Sequence, residues 1–324
     1  MSGLTNIIDV RVSGVTLCRT KQVDGRWTVL GLNRILVAVE QDDTAAVVLE
    51  KAVQLAAAAS AEIHVIRVIY DPNVDANIHD PADRQQLKTF IMEAQETWLE
   101  DLIEPVRSKA AVIESATIWH KEEHIGILDA ARDCGADFIM KAAQQPTGID
   151  SIIRTPQDWA LLRHAEVPVM MVKAEAWRTQ PLILAAVDAL HEDQNPLNRS
   201  IVVEASQLAK ILGGEMDVVV AHPFVQPFIG PNTVPIDFQK IRVEAEADIK
   251  STVDALLDSE NISYRYLHIE EGSTANAVGH QADTTDAEIL VMGTVARDGI
   301  KGLVLGNTSE TILYRVQCDV VVLR

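Results

Sequence analysis

The stretch GTVARDGIKGLVLGNTSET, Gly293 to Thr311, sets four glycines (293, 299, 302 and 306) between a run of β-formers, Ile289 to Met292, and a segment able to open a helix. Such a loop can do one piece of chemistry. Glycine lets backbone approach a ligand closely, and the free amides of a helix start attract an anion such as phosphate. A carboxylate stands in a matching place, because Asp188 closes the apolar run LILAAV. If both runs are strands of one open parallel sheet, Asp188 and Met292-Gly293 end at the edge where such sheets bind ligands. Asp188 with His191, Glu192 and Asp193 has the oxygen and imidazole types that could hold Mg2+ beside a phosphate. For the last three, a charged loop is the better reading. His120 and His124 in HKEEH have a metal-ligand spacing only on one continuous helix. His120 is expected to end a strand, so solvated helix entry is preferred there. No GKS or GKT follows a glycine loop and no Ser, His and Asp grouping is recognisable. No catalytic residue and no metal ligand is therefore assigned.

These residues need elements to hold them, and the elements occur twice. RILVAVE ends at Glu40 and LILAAVD at Asp188. Each is followed by a helical pattern, AAVVLEKAVQLAAAA (Ala45 to Ala59) and RSIVVEASQLAKILGG (Arg199 to Gly214). Second strands follow, EIHVIRVIY and EMDVVVAHPF, then Pro-containing loops and long charged helices over roughly Asp83–Lys109 and Pro235–Ser259. VIESATIWH and ISYRYLHIE read as third strands, ADFIMKAA and AEILVMGT as fourth strands. VPVMMV and DVVVLR close the halves, and placing one on the other gives an offset of 151 residues. Strands alternating with helices predict a parallel sheet covered on both faces. The expectation is an α/β chain of two tandem domains, 33–175 and 180–324. Each is an open five-stranded parallel sheet of order 3-2-1-4-5. A 1–32 extension precedes them, in which VDGRWTVLG could form a hairpin or an added edge strand.

Composition narrows the function. A formal charge of -19 over 324 residues repels nucleic acid phosphates and anionic lipid at long range, so direct nucleic acid binding is not expected. No apolar run reaches the roughly 18 residues of a membrane span, and the first residues do not read as a signal peptide. Three cysteines without a CxxC pair indicate neither a disulfide framework nor a zinc knuckle, which fits a cytoplasmic protein. With aromatics at 4%, the cores must be built from Ala, Val, Ile and Leu.

The glycine loop also carries a likeness. It resembles the G-x-x-G, nine residues, G-[S/T] signature of ATP-binding universal stress proteins, with Gly293 as first glycine and Gly306 as last. TIWH, IMKAA and IIRTPQDWALLRHAEVPVMMVK (Ile152 to Lys173) are similar to the first domain of tandem members of the UspE type, which carries TP-x-DW-x-LLR. The resemblance implies a bacterial stress-response protein that binds a partner under nucleotide control, with a role in resistance to DNA-damaging agents and a homodimer within reach. It implies ATP or another adenine nucleotide in the second domain, with Mg2+ if bound. The contacts would come from Ala186, Val187 and Asp188 at the first strand, Val220 and Ala221 at the adenine, and Met292, Gly293 and Thr294 at the fourth strand. Ala296, Arg297, Gly306, Asn307, Thr308 and Ser309 would meet the phosphates. Ala296 stands where the second glycine belongs, and Asn307 where Ser or Thr belongs. Asn307 with Glu310 reads equally as a helix capping box. In the first domain the matching residues are Ala142, Gln145, Thr155 and Pro156, so that phosphate site is read as lost. Two further readings stay open: a slow ATPase, and a nucleotide-independent scaffold for an apolar ligand or a protein.

Overall fold

The computed structural model describes residues 32–110, 112–143, 156–191, 195–222, 237–294 and 307–324, together with four short strands before residue 32. Those four pair as antiparallel ribbons, β1 (Val10–Val12) with β2 (Val15–Leu17) and β3 (Gln22–Val23) with β4 (Arg26–Trp27). The second ribbon falls on the segment read as a hairpin. The chain divides into two compact units, Met1–Ala176 and Trp177–Arg324.

The first unit runs β5 (Arg34–Ala38), α1 (Ala45–Ala59), β6 (Glu62–Ile69), α2 (Pro72–Asn77), α3 (Pro81–Ile103), β7 (Ile113–Trp119), α4 (Glu123–Cys134), β8 (Phe138–Ala142), α5 (Pro156–His164) and β9 (Val169–Val172). The second runs β10 (Leu182–Val187), α6 (Asn195–Leu212), β11 (Glu215–His222), α7 (Phe238–Ser259), β12 (Leu267–Glu271), α8 (Thr274–Thr285), β13 (Ile289–Gly293), α9 (Asn307–Arg315) and β14 (Asp319–Leu323). Within the units the strands order as β7-β6-β5-β8-β9 and β12-β11-β10-β13-β14. Every pairing within these two groups is parallel. Both units therefore have the expected order 3-2-1-4-5.

The central strands are apolar without alternation because both faces are covered. Consecutive strand residues point to opposite faces, yet Ile35, Leu36 and Val37 are all fully buried, as are Ile183, Leu184 and Ala185. Alanines take much of the helix side of the core. Ala45, Ala52 and Ala56 of α1 are buried, and their small side chains let the helix axis approach β5. The longest expected helix is interrupted. Asp80 accepts from the amides of Ala82 and Asp83, and Pro81 occupies the first turn of α3. After Ile103 the chain tightens into a 3-10 turn, Glu104–Lys109, because Pro105 has no amide to continue the α ladder. The third strand of the second unit is shorter than expected and starts only at Leu267.

A carboxylate just before each fourth strand fastens the amino end of the first. Asp137 accepts from the amides of Asn33 (3.0 Å) and Arg34 (3.1 Å). Glu288 accepts from the amide of Leu182 at 2.7 Å. The edge strand β12 has its own anchor. Asp217 of β11 is fully buried and takes Arg265 through both oxygens (3.0 and 2.9 Å), His268 Nε2 (2.9 Å) and the amide of Tyr266 (3.2 Å). Burial alone would raise its pKa. The hydrogen bonds from Arg265 and His268 outweigh that and hold it below the usual carboxylate range. Asp217→Asn should cost roughly 1.5 to 3 kcal/mol, the span for a hydrogen bond to a charged group. The wild-type advantage should hold above the unfolded aspartate pKa, about 3.9, and fade as pH falls through the lower folded value. Urea unfolding of both proteins across that window checks the magnitude and the sign.

Candidate functional site

In the second unit β10 pairs with β11 on one side and β13 on the other, so its carboxyl end is the point where strand order reverses. Asp188 leaves β10 there. Asn198, buried in the first turn of α6, accepts from the Asp188 amide at 2.9 Å and donates to the Asp188 carbonyl at 2.7 Å. This two-way bond fixes the Asp188 peptide against α6. Its carboxylate accepts from the amide of Leu190 (3.2 Å) and lies 2.8 Å from His191 Nδ1. Gly293 ends β13 beside it, and Ser309 in the first turn of α9 donates its hydroxyl to the Gly293 carbonyl at 3.2 Å. The structure thus places Asp188, Gly293, Thr308 and Ser309 at the same end of one sheet. Val187, Val220 and Met292 are buried within the strands, and Ala221 and Thr294 are nearly so. Ala296, Arg297, Gly306, Thr155, Gln145, Glu192 and Asp193 lie outside the described residues, as do the side chains of Asn307 and Pro156. Asn307 itself opens α9, and Glu310 is buried in its first turn.

Two features here are invisible in the motif. A Cβ on Gly293 would stand 2.4 Å from Leu197 Cδ2 and 2.9 Å from its Cγ. The glycine lets Leu197 of α6 lie against the end of β13, a packing role independent of whatever binds nearby. His222 ends β11, is buried, and its Nε2 has no hydrogen-bond partner among the described residues. It brings a polar ring nitrogen to the strand ends, next to the segment assigned to adenine.

The first unit has a different arrangement at the corresponding place. Lys141 of β8 is the counterpart of Met292 and is almost wholly buried. Its ammonium lies 3.0 Å from Glu40, 3.1 Å from Asp158 and 3.3 Å from Glu123. Glu40 follows β5 as Asp188 follows β10, Glu123 opens α4 as Thr274 opens α8, and Asp158 sits in the first turn of α5 as Ser309 sits in α9. Burial would lower the lysine pKa, but Asp158, Glu123 and Glu40 together raise it above the ordinary lysine range. Burial pushes Glu123 upward, against the pull of Lys141. A cleft of about 150 Å³ opens beside the cluster, walled by Glu40, Arg67, Tyr70, His120 and Glu123 among others. The two histidines of HKEEH have different hydrogen-bond partners. His120 Nδ1 accepts from the amide of Glu122, and His124 Nδ1 meets Gln157 Oε1 at 2.6 Å. Trp159, Leu161 and Leu162 are core residues.

Two outcomes follow from this packing. Gly293→Ala should cost about 1 to 3 kcal/mol by overpacking, and part of that should return when Leu197→Ala is added, giving a measurable coupling in a double-mutant cycle. Lys141→Met should cost roughly 3 to 5 kcal/mol at neutral pH, because three carboxylates lose their shared cation. Loss of the lysine removes the pull that lowers the Glu123 pKa, so the variant's deficit should shrink as pH falls toward about 4. In the wild type the lysine contribution is full below its unfolded pKa, about 10.4, and is lost as pH rises through the higher folded value. Thermal unfolding of both proteins across pH reads the two slopes.

Comparison with known proteins gives the same picture. The model of the universal stress protein family matches residues 31–173 and again 182–324. Universal stress protein E of Escherichia coli (strain K12) is 27% identical over 294 residues, covering 90% of this chain and 92% of that protein. The Universal stress protein E homolog of Haemophilus influenzae is 24% identical and covers 88% of this chain and 95% of its own. A crystal structure of a universal stress protein from Pseudomonas aeruginosa UCBPP-PA14 superposes with a TM-score of 0.68 at 26% identity, over 90% of this chain and 93% of that one. One from Archaeoglobus fulgidus shares the fold, with a TM-score of 0.62 at 19% identity over 90% and 98% of the two chains. With one family match in each unit, this chain belongs to the universal stress protein family as a tandem pair of its domains.

Proposed function

We propose that this protein is a stress-response binding protein whose second unit takes an adenine nucleotide at the ends of β10 and β13 and relays its occupancy to a protein partner. The observation that carries this reading is the contrast at the switch points. Where the first unit has Glu123, Lys141 and Asp158, the second has the uncharged Thr274, Met292 and Ser309 at the positions that correspond, with Asp188 in the place of Glu40. That environment fits a nucleotide. Asp188 is held by Asn198 with its carboxylate able to accept from a ribose hydroxyl or to meet Mg2+. The start of α9 supplies amides and a partial positive charge, worth roughly 0.3 to 1 kcal/mol for an anion at an exposed helix end. His222 offers, on the adenine side, a ring nitrogen without a hydrogen-bond partner among the described residues.

Binding is favoured over turnover. Hydrolysis needs a positioned water or base and charge neutralisation at the γ-phosphate. Arg297 and Lys301 are the loop's cations, and Asp298 opposes them in the same loop. Ala296 and Asp298 both weaken the site, so affinity below that of members with the full signature is expected. The likeness to UspE-type proteins adds the cytoplasm as location and resistance to DNA-damaging agents as physiological role.

Titration calorimetry with Mg2+-ATP on the intact chain tests the assignment. One site per chain is expected, lost in Gly306→Val and kept in Thr155→Val. Two sites, or heat that survives Gly306→Val, would overturn it. No binding in the wild type would favour the nucleotide-independent scaffold.

A further inference from the structure

The first unit is not an empty version of the second. Its α5 begins at Pro156, and the partial positive charge of that helix start already has an anion beside it, the buried carboxylate of Asp158 in the first turn. A buried carboxylate needs a counter-charge, and Lys141 supplies it at 3.1 Å. The lysine is then shared with Glu40 and Glu123. A phosphate arriving at the start of α5 would meet the Asp158 carboxylate, and the amides it could use lie next to that resident anion. The nearby cleft reaches Glu40 and Glu123, so water and small ions have a route to the cluster.

We propose that Lys141 and Asp158 are an internal ion pair standing in the place of an anionic ligand, and that with Glu123 they determine that the first unit rejects phosphate groups. Asp158 occupies the helix start as a phosphate would, and Lys141 is its fixed counter-cation. The ligand specificity of the chain is set by these side chains as much as by the missing glycines of the loop. This deepens the reading of the second unit as the nucleotide-responsive one, but its test does not depend on that unit binding anything.

The test uses the full chain with Glu123→Gln and Asp158→Asn together. Both changes are nearly isosteric, and they leave Lys141 facing Glu40 alone. Inorganic phosphate is the probe, added against chloride at equal ionic strength, with site-resolved hydrogen exchange as the readout. Phosphate should slow exchange at the start of α5 and the end of β8 several-fold in the double variant and leave the wild type unchanged. Adding Lys141→Met to the double variant should abolish the response, which a purely structural role for the lysine would not predict. A folded double variant with no phosphate response, or a wild type that responds equally, would overturn the proposal. If the double variant does not fold, Asp158→Asn alone decides: a smaller phosphate response there supports the proposal, and none refutes it. The peptides read belong to the first unit, so absence of nucleotide at Gly293–Ser309 is a separate result.

Discussion

A charge removed from water must find a partner, and at the switch point of each unit that demand shapes the structure. The first strand of both units ends at a carboxylate, Glu40 or Asp188. In the first unit the partner is a lysine from the fourth strand, and burial of that lysine obliges two more carboxylates to gather around it. In the second unit the carboxylate meets an amide and an imidazole within its own loop, and its peptide is held by Asn198. The first arrangement is an ion cluster drawn from residues far apart in sequence, and the second is a set of local contacts within one loop. A buried ion cluster of this kind is weak evidence for stability in itself, since desolvation opposes the Coulomb gain. Its consequence is that the site is already charged and occupied.

Everything else in the fold serves to bring those ends together. The order 3-2-1-4-5 makes the first and fourth strands neighbours, so residues about a hundred positions apart, Glu40 and Lys141 or Asp188 and Gly293, end side by side. Carboxylates at the opposite end, Asp137 and Glu288, fasten the first strand where the fourth begins. Small residues let the helices sit close, and at Gly293 the Leu197 side chain lies where a Cβ would stand. The strand ends are therefore positioned by packing, before any ligand is considered.

Much of this architecture was legible in the sequence. Apolar runs, carboxylate closures and helical patterns recurred in the same order, and an alternating strand–helix pattern admits few sheet topologies. Pro105 could have signalled the end of α3, because a proline cannot continue an α ladder. The site was less legible. Gly293 read as a glycine for a ligand, while its contact with Leu197 depends on how α6 lies on β13 and no local motif encodes it. Lys141 passed as part of a family-like IMKAA strand. Its role comes from Glu40, Glu123 and Asp158, which only the completed sheet assembles. His222 lies in a plain strand, and its lack of a partner among the described residues is a tertiary fact.

The central claim is that the two switch points differ in kind, one closed by its own ions and one open to a nucleotide. Photo-crosslinking of the intact protein with an azido-adenine nucleotide, followed by mapping of the labelled peptides, tests it most directly. Label is expected on peptides of β11 and β13 in the second unit and none on β6 or β8 in the first. Label on β6 or β8 at comparable yield would contradict it.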